Sequence, residues 1–264
     1  MSRLLYLLLL FSNSNSLNNT TIQHLIYKGY NVGIHQYSYA VYLYLESTRP
    51  SSCGGSLIMV QAVLTAAHCV DTVRYRRGNI FAYFGATVPK DAHIVRKVVN
   101  YKINPKYDEA KGRSNLAVVF LEKRVPLRHE TKKIPLVNKN PLVGTDVFSV
   151  GWGKQRLDSK LPDFSKFRTL KATKQKIMSR TECEKYAGFK ISAATLCTLP
   201  IIGHHYRDDA GNGLIQREPS HLLIGVLSFI SRDVSVYSSV LAHRDWIIKT
   251  CRDLYVQSCI GAKG

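Results

Sequence analysis

The chain has 264 residues, including 37 Lys or Arg and 18 Asp or Glu, which gives a formal net charge of +19. A chain of this length can bury a sizeable core, as one large domain or two smaller ones. No segment after the N-terminus approaches the length of a transmembrane helix, so the sequence predicts a protein without a membrane span. The positive charge is far larger than solubility requires.

Residues 1–16 have the pattern of a secretory signal peptide. Arg3 supplies the positive charge, residues 4–11 form an apolar run too short to span a bilayer, and small serines follow. We therefore expect an extracellular protein, which keeps a formal charge of +18 out of +19 after the loss of Arg3. Asn18 and Asn19 begin overlapping glycosylation sequons, of which we expect at most one to be used.

Short apolar and β-branched runs recur along the chain, separated by Gly, Pro, Asn and Asp. Such spacing is typical of a β-sandwich or β-barrel rather than of alternating helices and strands. The runs cover residues 40–45, 57–63, 80–84, 116–121, 147–150, 222–229 and 234–241. One helix is predicted from Arg244, because Trp246, Ile247 and Leu254 suit a single apolar face. The basic segment 132–140 has little strand character and is the best candidate for a linker.

The mature chain has six cysteines, at Cys53, Cys69, Cys183, Cys197, Cys251 and Cys259. An even number in an exported chain favours disulfides over zinc ligands or free thiols, although the spacing alone leaves the pairing open. In a continuous helix Cys251 and Cys259 would lie about 12 Å apart along the axis, beyond the roughly 7 Å limit for a disulfide. A disulfide between them therefore requires the helix to end near Val256 and the chain to fold back.

Basic residues occur in clusters spread along the chain. The clusters are Arg74 with Arg76 and Arg77, Lys123 with Arg124, Lys132 with Lys133, and residues 166–180. One interpretation is that they form solvated faces of a basic protein. The other is a patch for acidic glycans, anionic membranes or nucleic acid, since summed charge concentrates anions. Nucleic acid is the weakest of the three, because no nucleic-acid-binding motif accompanies the charge.

Two motifs carry a resemblance to a known family. The chain reads CGGSLI from Cys53 and TAAHC from Thr65, and both resemble first-half signatures of the trypsin/chymotrypsin-like serine proteases, with the catalytic-type histidine at His68. The sequence VGWG from Val150 and the segments 227–229, 236–237 and 246–247 are similar to later parts of that family. The resemblance covers about residues 26–250.

This resemblance implies an all-β fold of two six-stranded antiparallel barrels with a C-terminal helix. The first barrel is expected at about residues 40–130 and the second at about 141–241, after a pro-segment at 17–25 and before a C-terminal extension at 251–264. The resemblance also implies the disulfides Cys53–Cys69 and Cys183–Cys197.

The catalytic positions depart from the family pattern. Proteolysis requires a serine nucleophile, a histidine that takes its proton and a buried carboxylate that orients the histidine and stabilises its charged form. The carboxylate position is Asn115, in SNLAV where the family has DIAL, and the serine position is Ala210, in DDAGNG where the family has GDSGGP. A methyl group cannot attack a peptide, and a neutral amide cannot stabilise an imidazolium. We therefore predict that the triad His68, Asn115 and Ala210 is inactive.

The activation site also departs from the family. Activation in the family frees an N-terminal ammonium, here at Ile26, that pairs with a buried aspartate, here Asp209. Leu25 precedes Ile26, so a trypsin-like activator lacks the Arg or Lys at which it cleaves. If Ile26 is not freed, Asp209 needs another partner, because a lone buried carboxylate is costly.

The substrate pocket is predicted to be narrowed or closed. His204 stands at the base of the pocket, and Ile230 and Ser235 replace the glycines that keep it open in the family. A cysteine of the family is replaced by Tyr206, and the loop between Ile230 and Val234 is short.

We expect no cofactor and no metal. His204 and His205 lie near Asp208 and Asp209, but adjacent histidines on a strand point in opposite directions.

The sequence thus predicts a secreted, monomeric, non-catalytic serine protease homologue that binds a protein, an acidic glycan or an anionic surface. The alternative is an active trypsin-like endopeptidase. A protease inhibitor would require a rigid exposed loop that the sequence does not identify.

Overall fold

The computed structural model describes residues 29–153, 168–205, 209–232 and 234–261. The predicted signal peptide, the sequons at Asn18 and Asn19, and Ile26 lie outside these residues, as do Tyr206 and Asp208. In chain order the strands and helices are β1 (Tyr30–Asn31), β2 (Ala40–Glu46), β3 (Ser51–Met59), β4 (Ala62–Thr65), α1 (Ala67–Arg76), β5 (Asn79–Phe84), β6 (Ile94–Ile103), β7 (Ala117–Leu121), β8 (Asp146–Gly151), β9 (Lys171–Met178), α2 (Arg180–Ala187), β10 (Thr195–Ile202), β11 (Gly213–Gln216), β12 (Leu222–Ser231), β13 (Val234–Ser239) and α3 (Arg244–Gly261).

Both predicted barrels are present. Strands β2 to β7 close the first in the order β2-β3-β4-β7-β6-β5. Strands β8 to β13 form the second in the order β9-β10-β13-β12-β11-β8, which closes because β8 also pairs with β9, and the short β1 adds to β9 at its edge. All of these pairings are antiparallel. The predicted all-β fold with a C-terminal helix is confirmed.

The apolar residues of the strands form a core that runs through both barrels. In β5 the buried residues Ile80, Ala82 and Phe84 alternate with half-buried ones, as expected for a strand with one face inward. Every residue of β7 is buried. Trp152 lies where the barrels meet, and its indole nitrogen donates to the Thr87 carbonyl at 2.8 Å. This core sets the two barrels against each other along the cleft that contains the candidate site.

The predicted linker, residues 132–140, hydrogen-bonds to both barrels. The Ile134 amide donates to the Leu57 carbonyl of the first barrel at 2.9 Å, and the Val137 amide donates to the Leu223 carbonyl of the second at 3.1 Å. None of the helices in the described part of the chain is long and apolar enough to cross a membrane.

The cysteines are paired as the family resemblance implies, except at the C-terminus. Disulfides join Cys53 to Cys69 and Cys183 to Cys197, with Cα–Cα distances of 6.3 and 6.0 Å. Cys251 is a buried thiol and Cys259 an exposed one. The condition for a disulfide between them, a helix that ends near Val256, is not met, because α3 continues to Gly261 and holds the two cysteines two turns apart.

Candidate functional site

His68 and Asn115 meet in the cleft between the barrels. His68 is in the first turn of α1, and Asn115 lies two residues before β7 begins. The Asn115 Oδ1 atom accepts a hydrogen bond from the His68 backbone amide at 3.1 Å. The Asn115 Nδ2 atom is 2.8 Å from His68 Nδ1 and 2.9 Å from Ser228 Oγ. The two residues that the family resemblance identified as catalytic positions are therefore in direct contact.

These contacts fix the tautomer of His68. A backbone N–H can only donate, so Asn115 Oδ1 faces it and Asn115 Nδ2 points at the imidazole. An amide NH₂ group can only donate as well, so His68 Nδ1 carries a lone pair and the proton of the neutral ring is on Nε2. Burial lowers the pKa of His68, which also favours the neutral ring. Nε2 with a proton on it cannot take a proton from a hydroxyl.

Ala210 stands beside this histidine. Its carbonyl oxygen accepts from the Gly54 amide at 2.7 Å and is 4.0 Å from Cys69 Sγ, while His68 Nε2 is 3.7 Å from the same sulfur. Ala210 is only 8% exposed. Gly211 follows at φ +87°, a left-handed conformation, and a side chain there would collide with the Gly54 carbonyl. The backbone turn of the nucleophile position is therefore present, but it carries a methyl group.

Asp209 is fully buried next to Ala210. Its Oδ1 atom accepts from the Gly153 amide at 3.1 Å and from Asn212 Nδ2 at 3.0 Å. Its Oδ2 atom is 3.5 Å from Nδ1 of His205, whose side chain is also fully buried. The predicted pairing with Ile26 lies outside the described residues. Sequence analysis missed the contact with His205, since no motif identifies it.

The region of the substrate pocket is arranged differently from the prediction. His204 is exposed, whereas the next residue, His205, is buried. His205 Nε2 lies 2.7 Å from the Tyr237 hydroxyl and 2.9 Å from Gln175 Nε2. The Tyr237 hydroxyl in turn donates to Gln175 Oε1 at 3.0 Å. A hydrogen-bonded network of side chains therefore fills this part of the second barrel.

The two segments predicted to form the pocket walls pair directly with each other. Ile230 is opposite Ser235, and Ser231 is opposite Val234, in the β12–β13 ladder. Strands in a ladder lie about 4.8 Å apart, which leaves no gap for a substrate side chain between them. Ile230 is 38% exposed and, with Ser231, lines the open cleft beside His68. The strand pairing therefore excludes a gap between these two segments, and whether a substrate pocket is narrowed stays a prediction.

An open cleft of about 640 Å³ is lined by His68, Asn115 and residues 228–231 of β12. It has apolar walls, including Phe189 and Phe229, whose rings pack 6.0 Å apart. It also has charged residues of both signs, namely Glu109, Lys111, Arg113 and Lys190.

The ligand atoms of Cys53, His68 and Cys69 lie within 4.8 Å of one another, a spacing that could hold a metal. The two sulfurs are joined in a disulfide, however, and a disulfide sulfur is not the thiolate that metals bind. The cluster is therefore not suited to be a metal site.

The fold and the site together define a chymotrypsin-like protein, with two antiparallel barrels and a histidine at the cleft. The sequence profile of the trypsin family matches residues 26–247, and the chain belongs to this family. It is 26% identical over 219 residues to trypsin alpha of Drosophila melanogaster, across 80% of this chain and 82% of that protein. It is 27% identical to trypsin beta of Drosophila erecta over 213 residues (77% and 80%) and 26% identical to trypsin epsilon of Drosophila erecta over 235 residues (86% and 87%).

Proposed function

We propose that the protein is an exported, non-catalytic member of the trypsin family that acts by binding a protein or an acidic glycan or surface. The observation that carries this proposal is Ala210. It occupies the buried turn next to His68 at which the family's nucleophile is expected, and its methyl group has no lone pair with which to attack a carbonyl carbon.

Two further observations support the loss of catalysis. Asn115 donates to His68 Nδ1, so Nε2 of the neutral imidazole holds a proton instead of accepting one. The direct pairing of Ile230 with Ser235 leaves no side-chain pocket between these strands. Each of these features would impair proteolysis even if Ala210 were replaced by serine.

The charge of the chain supports a binding role toward an acidic partner. The formal charge of +19 produces a positive field that attracts anions and speeds encounters with them. The relatives' name, trypsin, favours an active endopeptidase as the alternative. That alternative requires a nucleophile other than residue 210.

The decisive experiment uses the secreted, processed protein and a phosphonate probe that reacts with activated serines. Active trypsin is treated in parallel as the positive control. We expect no covalent labelling of this protein and no cleavage of unstructured peptides, while the control is labelled completely. Labelling at any serine, located by mass spectrometry, would favour the endopeptidase and overturn the proposal.

A further inference from the structure

Four arginines lie close together around the C-terminal end of α1. Arg74, Arg76 and Arg77 are exposed and nearly consecutive, and Arg76 reaches Arg49, donating to its backbone carbonyl at 3.2 Å. In the described part of the chain no carboxylate lies within 4.0 Å of a guanidinium nitrogen of Arg49, Arg76 or Arg77. We call these four residues the α1 arginine cluster.

The backbone holds this cluster in a defined shape. Val70 and Val73 are buried and fix α1 against the first barrel. Arg77 then adopts a left-handed conformation with φ +50°, and the next amide, that of Gly78, donates back to the Val73 carbonyl at 3.1 Å. This capped helix end presents the arginine side chains from a rigid turn. Rigid presentation lowers the entropy lost when a ligand binds.

The cluster borders a concave surface. Arg74 and Arg77 line an open cleft of about 220 Å³ between α1 and β6, together with Asn79 and Tyr101. Two carboxylates lie beside it: Asp71 pairs with Arg74 at 2.6 Å, and Glu46 accepts from Asn79 Nδ2 at 2.7 Å. Arg77 is therefore the lining arginine whose charge is left for a ligand. The cleft has room for a small group such as a sulfate with part of a sugar ring.

An exposed aromatic ring stands in the middle of the cluster. The side chain of Tyr75 is 76% exposed, and the guanidinium carbon of Arg74 lies 5.1 Å from the centre of its ring. An aromatic face next to a cation suits a ligand that combines apolar C–H groups with negative charge.

We propose that the α1 arginine cluster, with Tyr75, is the binding site for a sulfated glycan. Guanidinium groups form paired hydrogen bonds with tetrahedral oxyanions such as sulfate, and Tyr75 offers a face for the C–H side of a sugar ring. A flat bilayer would not enter the concave cleft, and Tyr75 alone offers little area for insertion. This inference rests on the proposed binding role and specifies its ligand.

The test compares two variants that lose the same charge. The first, Arg74→Gln/Arg76→Gln/Arg77→Gln, removes three of the four charges of the cluster and keeps Arg49. The matched control, Lys132→Gln/Lys133→Gln/Lys139→Gln, removes three exposed lysines from the segment between the barrels. Binding to a heparin-derived oligosaccharide is measured at several salt concentrations, and thermal denaturation confirms that both variants fold.

We expect the first variant to bind at least about tenfold more weakly than the control and to show a shallower dependence on salt, because fewer ions are displaced on binding. Equal affinities of the two variants would overturn the proposal, since binding would then follow total charge alone. Equal affinities of the wild type for the sulfated and the desulfated oligosaccharide would also overturn the proposal. Tighter, arginine-dependent binding to phosphatidylserine vesicles than to the oligosaccharide would also overturn it.

This design distinguishes failure of the glycan site from failure of the non-catalytic role. Each protein is also treated with the phosphonate probe. Labelling of the wild type would overturn the non-catalytic role and leave the oligosaccharide comparison intact. Loss of the difference between the variants, without labelling, would overturn only the glycan site.

Discussion

The side-chain amide of Asn115 donates a hydrogen bond to Nδ1 of His68 at 2.8 Å, and this sets the imidazole in the tautomer opposite to that of a general base. A carboxylate at position 115 would accept a hydrogen bond from the Nδ1–H group and leave the lone pair of Nε2 free. Asn115 keeps the position of the side chain and reverses the direction of the hydrogen bond. The contact between residues 68 and 115 is therefore kept, while its donor and acceptor are exchanged.

The substitution Asn115→Asp should reverse that hydrogen bond. We expect the proton of the neutral ring to move to Nδ1 and the pKa of His68 to rise relative to the wild type, because a carboxylate stabilises the imidazolium. Nitrogen chemical shifts of ¹⁵N-labelled histidine report both changes. The variant Asn115→Ala controls for loss of the amide alone. An Nδ1 that is protonated already in the wild type would contradict the assignment of the tautomer.

Restoring the nucleophile alone should not restore an enzyme. In Ala210→Ser the new hydroxyl would have no general base, because His68 Nε2 already carries a proton, so we expect no measurable peptide cleavage. The double variant Asn115→Asp/Ala210→Ser should react with a small activated ester but not with arginine or lysine peptides, because β12 and β13 pair without a gap that could hold an arginine or lysine side chain. The rates of ester hydrolysis and of peptide cleavage by each variant test this. Efficient peptide cleavage by Ala210→Ser would show that the tautomer argument is wrong.

The two unpaired cysteines should differ sharply in reactivity. Cys259 is exposed, whereas Cys251 is buried and its burial raises the pKa of the thiol to about 12. Because the thiolate is the reactive form, a maleimide should label Cys259 in the native protein and both cysteines in denaturant. Mass spectrometry of tryptic peptides locates the label. Absence of label on both residues in denaturant would mean that a C-terminal disulfide forms after all.

Mild acid should destabilise the protein through its buried histidines. Burial lowers the pKa of His68 and of His243. Each imidazole therefore binds a proton more weakly in the folded protein than in the unfolded chain. This contribution to stability is complete above the unfolded pKa of about 6.5 and is lost as the pH falls below it. We therefore expect a lower melting temperature at pH 5.5 than at pH 7.5.

The variant His243→Gln should reduce that pH dependence by removing one buried histidine. The exposed histidine His129 provides a matched control, since His129→Gln changes the composition equally without altering the interior. Melting temperatures measured between pH 5.5 and 8 decide the question. An unchanged or steeper dependence in His243→Gln would contradict the assignment to buried imidazoles.

Sequence patterns predicted the fold best where strands are apolar on the inner face. Each predicted strand coincides with at least one observed strand, and residues 57–63 span the turn between β3 and β4. Strand β9 was missed because its buried face is polar, with Lys171, Thr173 and Gln175 inside the second barrel. Gln175 donates to Thr173 Oγ1 at 2.6 Å, so hydrogen bonds replace apolar contacts there.

Helix α2 was also missed, although its boundary signals are present in the sequence. The Ser179 hydroxyl accepts from the Glu182 amide at 3.2 Å and forms a capping box, and Gly188 ends the helix at φ +80°. At the site, motif spacing located His68, Asn115 and Ala210. It could not locate the contact of His205 with Asp209, because that contact depends on which of two adjacent histidines faces inward.

The pairing of β12 with β13 is harder to change by mutation than the residues at positions 115 and 210. A single substitution at position 210 turns the methyl group into a hydroxymethyl group, and one at position 115 turns the amide into a carboxylate. The register that sets Ile230 against Ser235 and Ser231 against Val234 is a property of the backbone, and opening it would require residues to be inserted between the strands. Of these three features, the register of β12 and β13 is therefore the one that no exchange of side chains can undo.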